Sequence, residues 1–308
     1  MKTKLNTYYP YLLGLFILHG LILVIIGVVR CDYWGDYIHH VGAIRELALH
    51  PLHPVHPQLG INAMTPFFTP YHFFVAMLQR ITNIDTYKLL SYFGILNYLF
   101  LMASICLFVK KLFKSKMAVL LYVFFMLYLW GFPTLDFSGF THLKVIGSVA
   151  SYHSTLSNAM VYLTLYLFMK YVETKKIIYL PMQALSIALC VIPNPVNAPV
   201  MYVAYVLLVA TYSFYNSWDK KILITGGLVV FVSLALWALW PYASLIEIIR
   251  ARGMSQTLWP RSGFSNMKSI FGALLPTIVG VSILMPLNTK NKENTWIYLS
   301  FIAFLMIY

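Results

Sequence analysis

The chain has 308 residues, 60% of them hydrophobic, 17% aromatic and only 10% charged, with a formal net charge of +13. Soluble domains carry about 25% charged residues, so an ordinary soluble enzyme is excluded; apolar runs long enough to cross a bilayer core of roughly 30 Å recur along the chain. The basic excess therefore points to membrane topology and to anionic membrane lipid as partner, not to nucleic acid. Cys31, Cys106 and Cys190 form no motif, which leaves neither a disulfide framework nor a cysteine-based zinc cluster.

The expected fold is all-α, a polytopic transmembrane helical bundle of about nine spans forming one domain over 1–308. The spans are placed near 10–29, 87–109, 117–131, 152–169, 177–192, 196–213, 221–240, 269–287 and 295–308. The first follows Lys2 and Lys4 and is longer than a signal-peptide core, so it is expected to remain as an uncleaved anchor. The last is short of a full crossing, as in a chain truncated at its C-terminus.

Between the first two spans lies a long loop, 30–86. Its opening, CDYWGDYIHHVGAIRELALH (31–50), predicts an amphipathic helix after Gly35. Ile38, Val41, Ile44, Ala48 and Leu49 make the apolar stripe; Asp36, His39, His40, Glu46 and His50 project from the other side. Asp36 and His40 are four residues apart, so their side chains can meet. The run LHPLHPVHPQ follows. Pro51, Pro54 and Pro57 favour polyproline II, which would align His50, His53 and His56 on one edge, roughly 9 Å apart. Zinc ligand nitrogens sit about 2.0–2.1 Å from the ion, so a straight rod cannot bring these three together. The run is read chiefly as a stiff spacer. Segment 66–80 is too short to span and is expected to lie on the membrane surface as a second helix.

Basic clusters fix the expected topology: Lys110, Lys111, Lys114 and Lys116; Lys170, Lys175 and Lys176; Lys220 and Lys221; Lys290 and Lys292. Short basic loops stay cytoplasmic, and alternate crossing from a cytoplasmic N-terminus puts all four inside. The outer side then holds loops 30–86, 132–151 and 241–268, and with them most of the histidines and acids. In 132–151, Asp136 stands among Ser138, Thr141, His142 and Lys144, and Tyr152 and His153 open the next span on the same side. In 241–268, Arg250, Arg252, Arg261 and Lys268 run against the positive-inside trend. Arginine offers a planar fork to phosphate oxygens, although snorkelling to lipid headgroups explains such residues equally well.

A first span leading into a long outer loop, two surface helices in that loop, an acid just after span one and a second acid in the next outer loop resemble the GT-C superfamily of membrane glycosyltransferases. The stretch GDYIHHVGAIRELALHPLHPVHPQLG, with FTPYHF after it, is similar to a bacterial branch of GT-C-like proteins. The resemblance covers roughly 1–215. It implies transfer of a sugar from a polyprenyl-phosphate donor to an acceptor on the outer face of a bacterial cytoplasmic membrane. Asp36, or Asp32, would be the base that activates the acceptor hydroxyl. Asp136 would assist, with Mg²⁺ or Mn²⁺ held between Asp36 and Asp136. His39, His40, His142 and His153 would contact substrate, and Arg250, Arg252 and Arg261 would hold its phosphate. Two rival readings stand beside it: a transporter or flippase of a lipid or glycan, and a non-catalytic membrane subunit of an envelope glycan assembly. Ion-coupled transport calls for ionisable residues within spans, and the span interiors here hold almost none.

Overall fold

The computed structural model describes residues 2–30, 36–61, 65, 67–128, 142–194, 198–215, 218–242 and 244–246. Among these there are ten helices and no strand: α1 (Lys2–Arg30), α2 (Tyr37–Leu49), α3 (Pro70–Thr82), α4 (Thr86–Phe113), α5 (Lys116–Tyr128), α6 (Leu143–Val149), α7 (His153–Thr174), α8 (Tyr179–Val191), α9 (Ala198–Tyr215) and α10 (Lys220–Ala238).

Three described segments are long and apolar enough to cross a membrane: Tyr8–Arg30, Thr86–Phe113 and Lys220–Ala238. Of the nine or so spans expected, three therefore have full spanning character among the described residues. α5 and α8 have 13 residues each, about 20 Å of helix, well under a bilayer core. α7 has length enough, but it carries Ser154, Thr155, Ser157 and Thr164 buried along its course. The expected spans 269–287 and 295–308 lie outside the described residues.

Helix ends follow local chemistry. Asp85 caps α4 by accepting from Tyr87 N–H at 2.9 Å, and Asp219 caps α10 by accepting from Lys221 N–H at 3.1 Å. Asn83, Lys114 and Lys175 close α3, α4 and α7 in the left-handed conformation.

α4 packs along α7 at the centre. α1 and α5 flank α4 on one side, while α8, with α9 and α10 beyond it, continues from α7 on the other. Two apolar clusters result. One holds Ile44, Leu47, Val75, Leu101, Ile105 and Ile146; the other holds Phe168, Ile187, Val191 and Tyr205. α6 falls inside the stretch expected to be a polar loop. Val145, Ile146 and Val149 bury one side of it against α1. The crossing is close because both helices have glycine there: a Cβ on Gly147 would stand 2.7 Å from the carbonyl oxygen of Leu23, and one on Gly27 would strike the Gly147 backbone.

The two ends of the bundle differ in chemistry. At one end Lys111 and Lys170 pair with Glu173, Lys175 pairs with Asp219, and Lys116 lies over the Tyr9 ring. α2 and α3 cover the other end, where α4 and α7 begin. Arg45 of α2 reaches Asp85 at 3.3 Å, and Trp240, after α10, donates to the carbonyl of Phe68 at 2.7 Å. The Tyr242 hydroxyl donates to the carbonyl of Pro51. Trp240 and Tyr242 therefore brace the first loop.

Candidate functional site

The site forms where α2, α3 and the start of α7 meet. The face that α2 buries shares Val41 and Ile44 with the expected stripe but is rotated away from the rest of it. Ile38 and Leu49 are exposed, whereas Tyr37, His40, Val41, Ile44 and Leu47 are buried. Positions 37, 40, 41, 44 and 47 also follow helical spacing, and α2 packs this face on α3 and the bundle. His40, expected on the polar side, is thereby drawn inside, 2% exposed.

α3 supplies a second imidazole. In Thr69-Pro70-Tyr71-His72, Thr69 is the N-cap, Pro70 opens the helix and His72 falls at the third helical position. The Thr69 hydroxyl oxygen accepts from the His72 backbone N–H at 3.3 Å and lies 2.8 Å from His72 Nδ1. His72 is fully buried, and its Nε2 lies 2.7 Å from His40 Nδ1.

The third comes from the turn before α7, which buried polar groups fix in place. Tyr71 donates its hydroxyl to the Ser151 carbonyl at 2.7 Å. Asn97 of α4 donates to the Ala150 carbonyl at 3.0 Å and to the Tyr71 hydroxyl at 3.2 Å. Thr155 donates to the Val149 carbonyl at 2.9 Å. This places Tyr152 and His153 over α2. The centroid of the His40 ring is 4.9 Å from that of His72 and 5.1 Å from that of His153, and His72 and His153 are 5.4 Å apart. Phe67 and Tyr152 set their rings edge-on to His40.

Asp36 precedes α2 and meets His40 as their spacing predicts, with Oδ2 3.7 Å from Nε2; its side chain is half exposed, while His40 is sealed. Burial pushes the Asp36 carboxyl up, but His40, by hydrogen bonding and charge, then Tyr152 and the backbone outweigh it and hold it below the usual carboxylate range. Burial, followed by electrostatic repulsion from the neighbouring His40 and His153 imidazoles, drives His72 well below the usual imidazole value, so it is a neutral ring. A neutral imidazole has one proton for two nitrogens. The chain from Thr69 through His72 and His40 to Asp36 is satisfied when each proton points toward Asp36.

The remaining expected residues divide. His153 joins Asp36 and His40. His39 faces away from the cluster and contacts Gln58 and Phe67. His142 is buried at the N-cap of α6. Asp32, Asp136, Arg250, Arg252 and Arg261 lie outside the described residues, as therefore does the expected pairing of Asp36 with Asp136. Among the described residues, the group placed to hold a metal ion is His40, His72 and His153, an imidazole set rather than the oxygen ligands that suit Mg²⁺ or Mn²⁺.

The His-Pro run is not a straight rod. Glu46 accepts from the Val55 N–H at 3.0 Å and contacts His50 at 2.9 Å, which bends the segment back along α2. The His56 carbonyl accepts from Gly60 N–H at 2.9 Å, and Gly60 takes φ 64°, a value that suits glycine. His50, His53 and His56 do not converge. No family model, curated protein or solved structure matches the chain.

Proposed function

We propose that the chain is a GT-C-like membrane glycosyltransferase. It works at the Asp36 end of the bundle, which faces the outside of a bacterial cytoplasmic membrane while the lysine-rich end faces the cytoplasm. The observation that carries this reading is Asp36 itself. It is a half-exposed carboxylate at the exit of the first long apolar helix, kept ionised by His40 and Tyr152. A base for an inverting displacement needs that combination: an ionised oxygen open to substrate, oriented by groups that do not themselves move.

In the proposed reaction Asp36 takes the proton of an acceptor hydroxyl. The acceptor oxygen attacks the anomeric carbon of a polyprenyl-phosphate sugar, and the bond from that carbon to the phosphate oxygen breaks, its electron pair leaving with the polyprenyl phosphate. Arg250, Arg252 and Arg261 are proposed to neutralise that phosphate, and Asp136 to assist Asp36.

The test uses the chain in lipid nanodiscs with polyprenyl-phosphate sugars labelled in the sugar and a mixture of water-soluble, hydroxyl-bearing acceptors. Wild type should move label out of the lipid phase, and Asp36→Asn, expressed and folded normally, should move none. Full activity in Asp36→Asn removes Asp36 as the base. Donor binding by wild type without turnover supports a non-catalytic subunit instead.

A further inference from the structure

We propose that His40, His72 and His153 form a site for one divalent transition-metal ion of the zinc type, with Asp36 and Thr69 as its supporting shell. The proposal stands whether or not the protein transfers a sugar.

The spacing fits. Three imidazoles bound tetrahedrally at about 2.0–2.1 Å from nitrogen to metal put their ring centroids about 5.2 Å apart. The observed triangle is 4.9, 5.1 and 5.4 Å. The candidate ligand nitrogens lie within 4.8 Å of one another; on binding, the 2.7 Å pair of His40 and His72 would open to about 3.3 Å and His153 would close on the same ion.

The proton arrangement also fits. His40 Nδ1 and His72 Nε2 face each other at 2.7 Å, so without an ion one of them must carry the proton between them. An ion there replaces that proton. His72 then donates Nδ1–H to Thr69, 2.8 Å away, and His40 turns Nε2–H toward Asp36. Metal-bound histidines regularly use their second nitrogen in this way, toward a carboxylate or another oxygen. One polar atom is otherwise left over: His153 Nδ1 is buried without a hydrogen-bond partner, while His40 Nε2 has only a long contact to Asp36 at 3.7 Å. Metal binding at Nδ1 of His153 would satisfy it, and the tightened contact to Asp36 would satisfy Nε2 of His40.

Three nitrogen donors and no thiolate suit Zn²⁺ rather than Mg²⁺ or Ca²⁺, and three protein ligands leave a fourth position for water or a substrate oxygen. The three come from elements far apart in sequence, α2, α3 and α7, so the ion would also tie the first loop to the bundle.

The experiment is metal analysis of the full chain, purified in detergent through a histidine-free affinity tag. The protein is stripped with chelator, reloaded with Zn²⁺ and freed of excess. Wild type should retain about one zinc per chain, as a single three-histidine site requires. His72→Gln should retain less than roughly a tenth of that, and His53→Gln in the exposed loop should match wild type. Co²⁺ loading of wild type gives a reading that needs no variant: a four-coordinate nitrogen site produces strong visible absorption bands, displaced by Zn²⁺. Wild type that binds neither ion stoichiometrically overturns the proposal. So does zinc retained in full by His72→Gln, whatever His53→Gln does.

Discussion

Asn97→Ala tests how the third imidazole is positioned. Asn97 is buried in α4, 4% exposed, and its amide donates to the Ala150 carbonyl and the Tyr71 hydroxyl. Tyr71 keeps its own bond to Ser151, so the loss falls chiefly on the turn that carries Tyr152 and His153. Two buried hydrogen bonds at about 1 kcal/mol each, plus part of the penalty for a carbonyl that loses its partner, give about 2–3 kcal/mol. Side-chain hydrogen bonds within membranes average nearer 0.6 kcal/mol, which sets a lower figure of about 1 kcal/mol. The residues involved are sealed from water and from lipid, so the expected loss is about 2 kcal/mol. The assay is amide hydrogen exchange of the metal-free protein, read on peptides covering 149–155. A loss of about 2 kcal/mol makes exchange there roughly 30-fold faster, while peptides at the Lys111–Glu173 end should not change. Unchanged exchange at 149–155, or an equal rise at both ends, would refute this account of how His153 is held.

Three further outcomes follow from the same contacts. Thr69→Val removes both the α3 cap and the acceptor behind His72; helix α3 should lose about 1 kcal/mol and zinc affinity should fall roughly 10–100-fold, with Thr69→Ser retaining most of both in thermal unfolding and metal titration. Gly147→Ala should cost about 1–3 kcal/mol in detergent-solubilised thermal stability, because its Cβ meets the α1 backbone rather than a movable side chain. In the metal-free protein His72 is held neutral, with its folded value below the unfolded one. The unfolded chain then binds more protons as pH falls below about 6.5, and stability present at neutral pH is lost on acidification. Unfolding midpoints between about pH 7.5 and about pH 5 should drop for wild type and drop less for His72→Gln.

How far the sequence foretold this depends on which interaction decides each feature. The two helices of the first loop, the clustering of lysines at one end and the meeting of Asp36 with His40 follow from local periodicity and spacing, and all three are present in the fold. The buried face of α2 was foretold only in part: Val41 and Ile44 are inside as expected, Ile38 and Leu49 are not. Its sequence offers two overlapping apolar stripes, and the choice between them is made by α3, which contributes nothing to the pattern of α2 itself. His72 escaped for a related reason. Its local signal, a threonine cap followed by proline and a histidine at the third helical position, is an ordinary helix start. Only the approach of His40, 32 residues earlier, turns it into part of a cluster. The His-Pro run misled in the opposite direction, since its repetition suggested a rod while one carboxylate, Glu46, bends it. α6 was hidden because close glycine packing against α1, which no pattern within 143–149 announces, is what makes a seven-residue helix worth burying.

The transferase reading and the metal reading share His40, and the geometry separates them. Asp36 owes its place to α2, where it sits one helical turn from His40, and its side chain is half exposed while that of His40 is sealed. Asp36→Asn leaves an oxygen that can still accept from His40 Nε2–H. Zinc should therefore be weakened by no more than roughly 10–100-fold, while transfer is abolished because an amide takes no proton. His72→Gln reverses the pattern. It strips the metal but leaves the carboxylate ionised beside His40, so donor binding should be kept and turnover reduced rather than abolished. Measuring zinc content, donor affinity and turnover on both variants gives a crossed result if base and metal are distinct devices meeting at one imidazole. If both variants lose all three together, the cluster is one structural unit and neither role can be assigned to a single side chain.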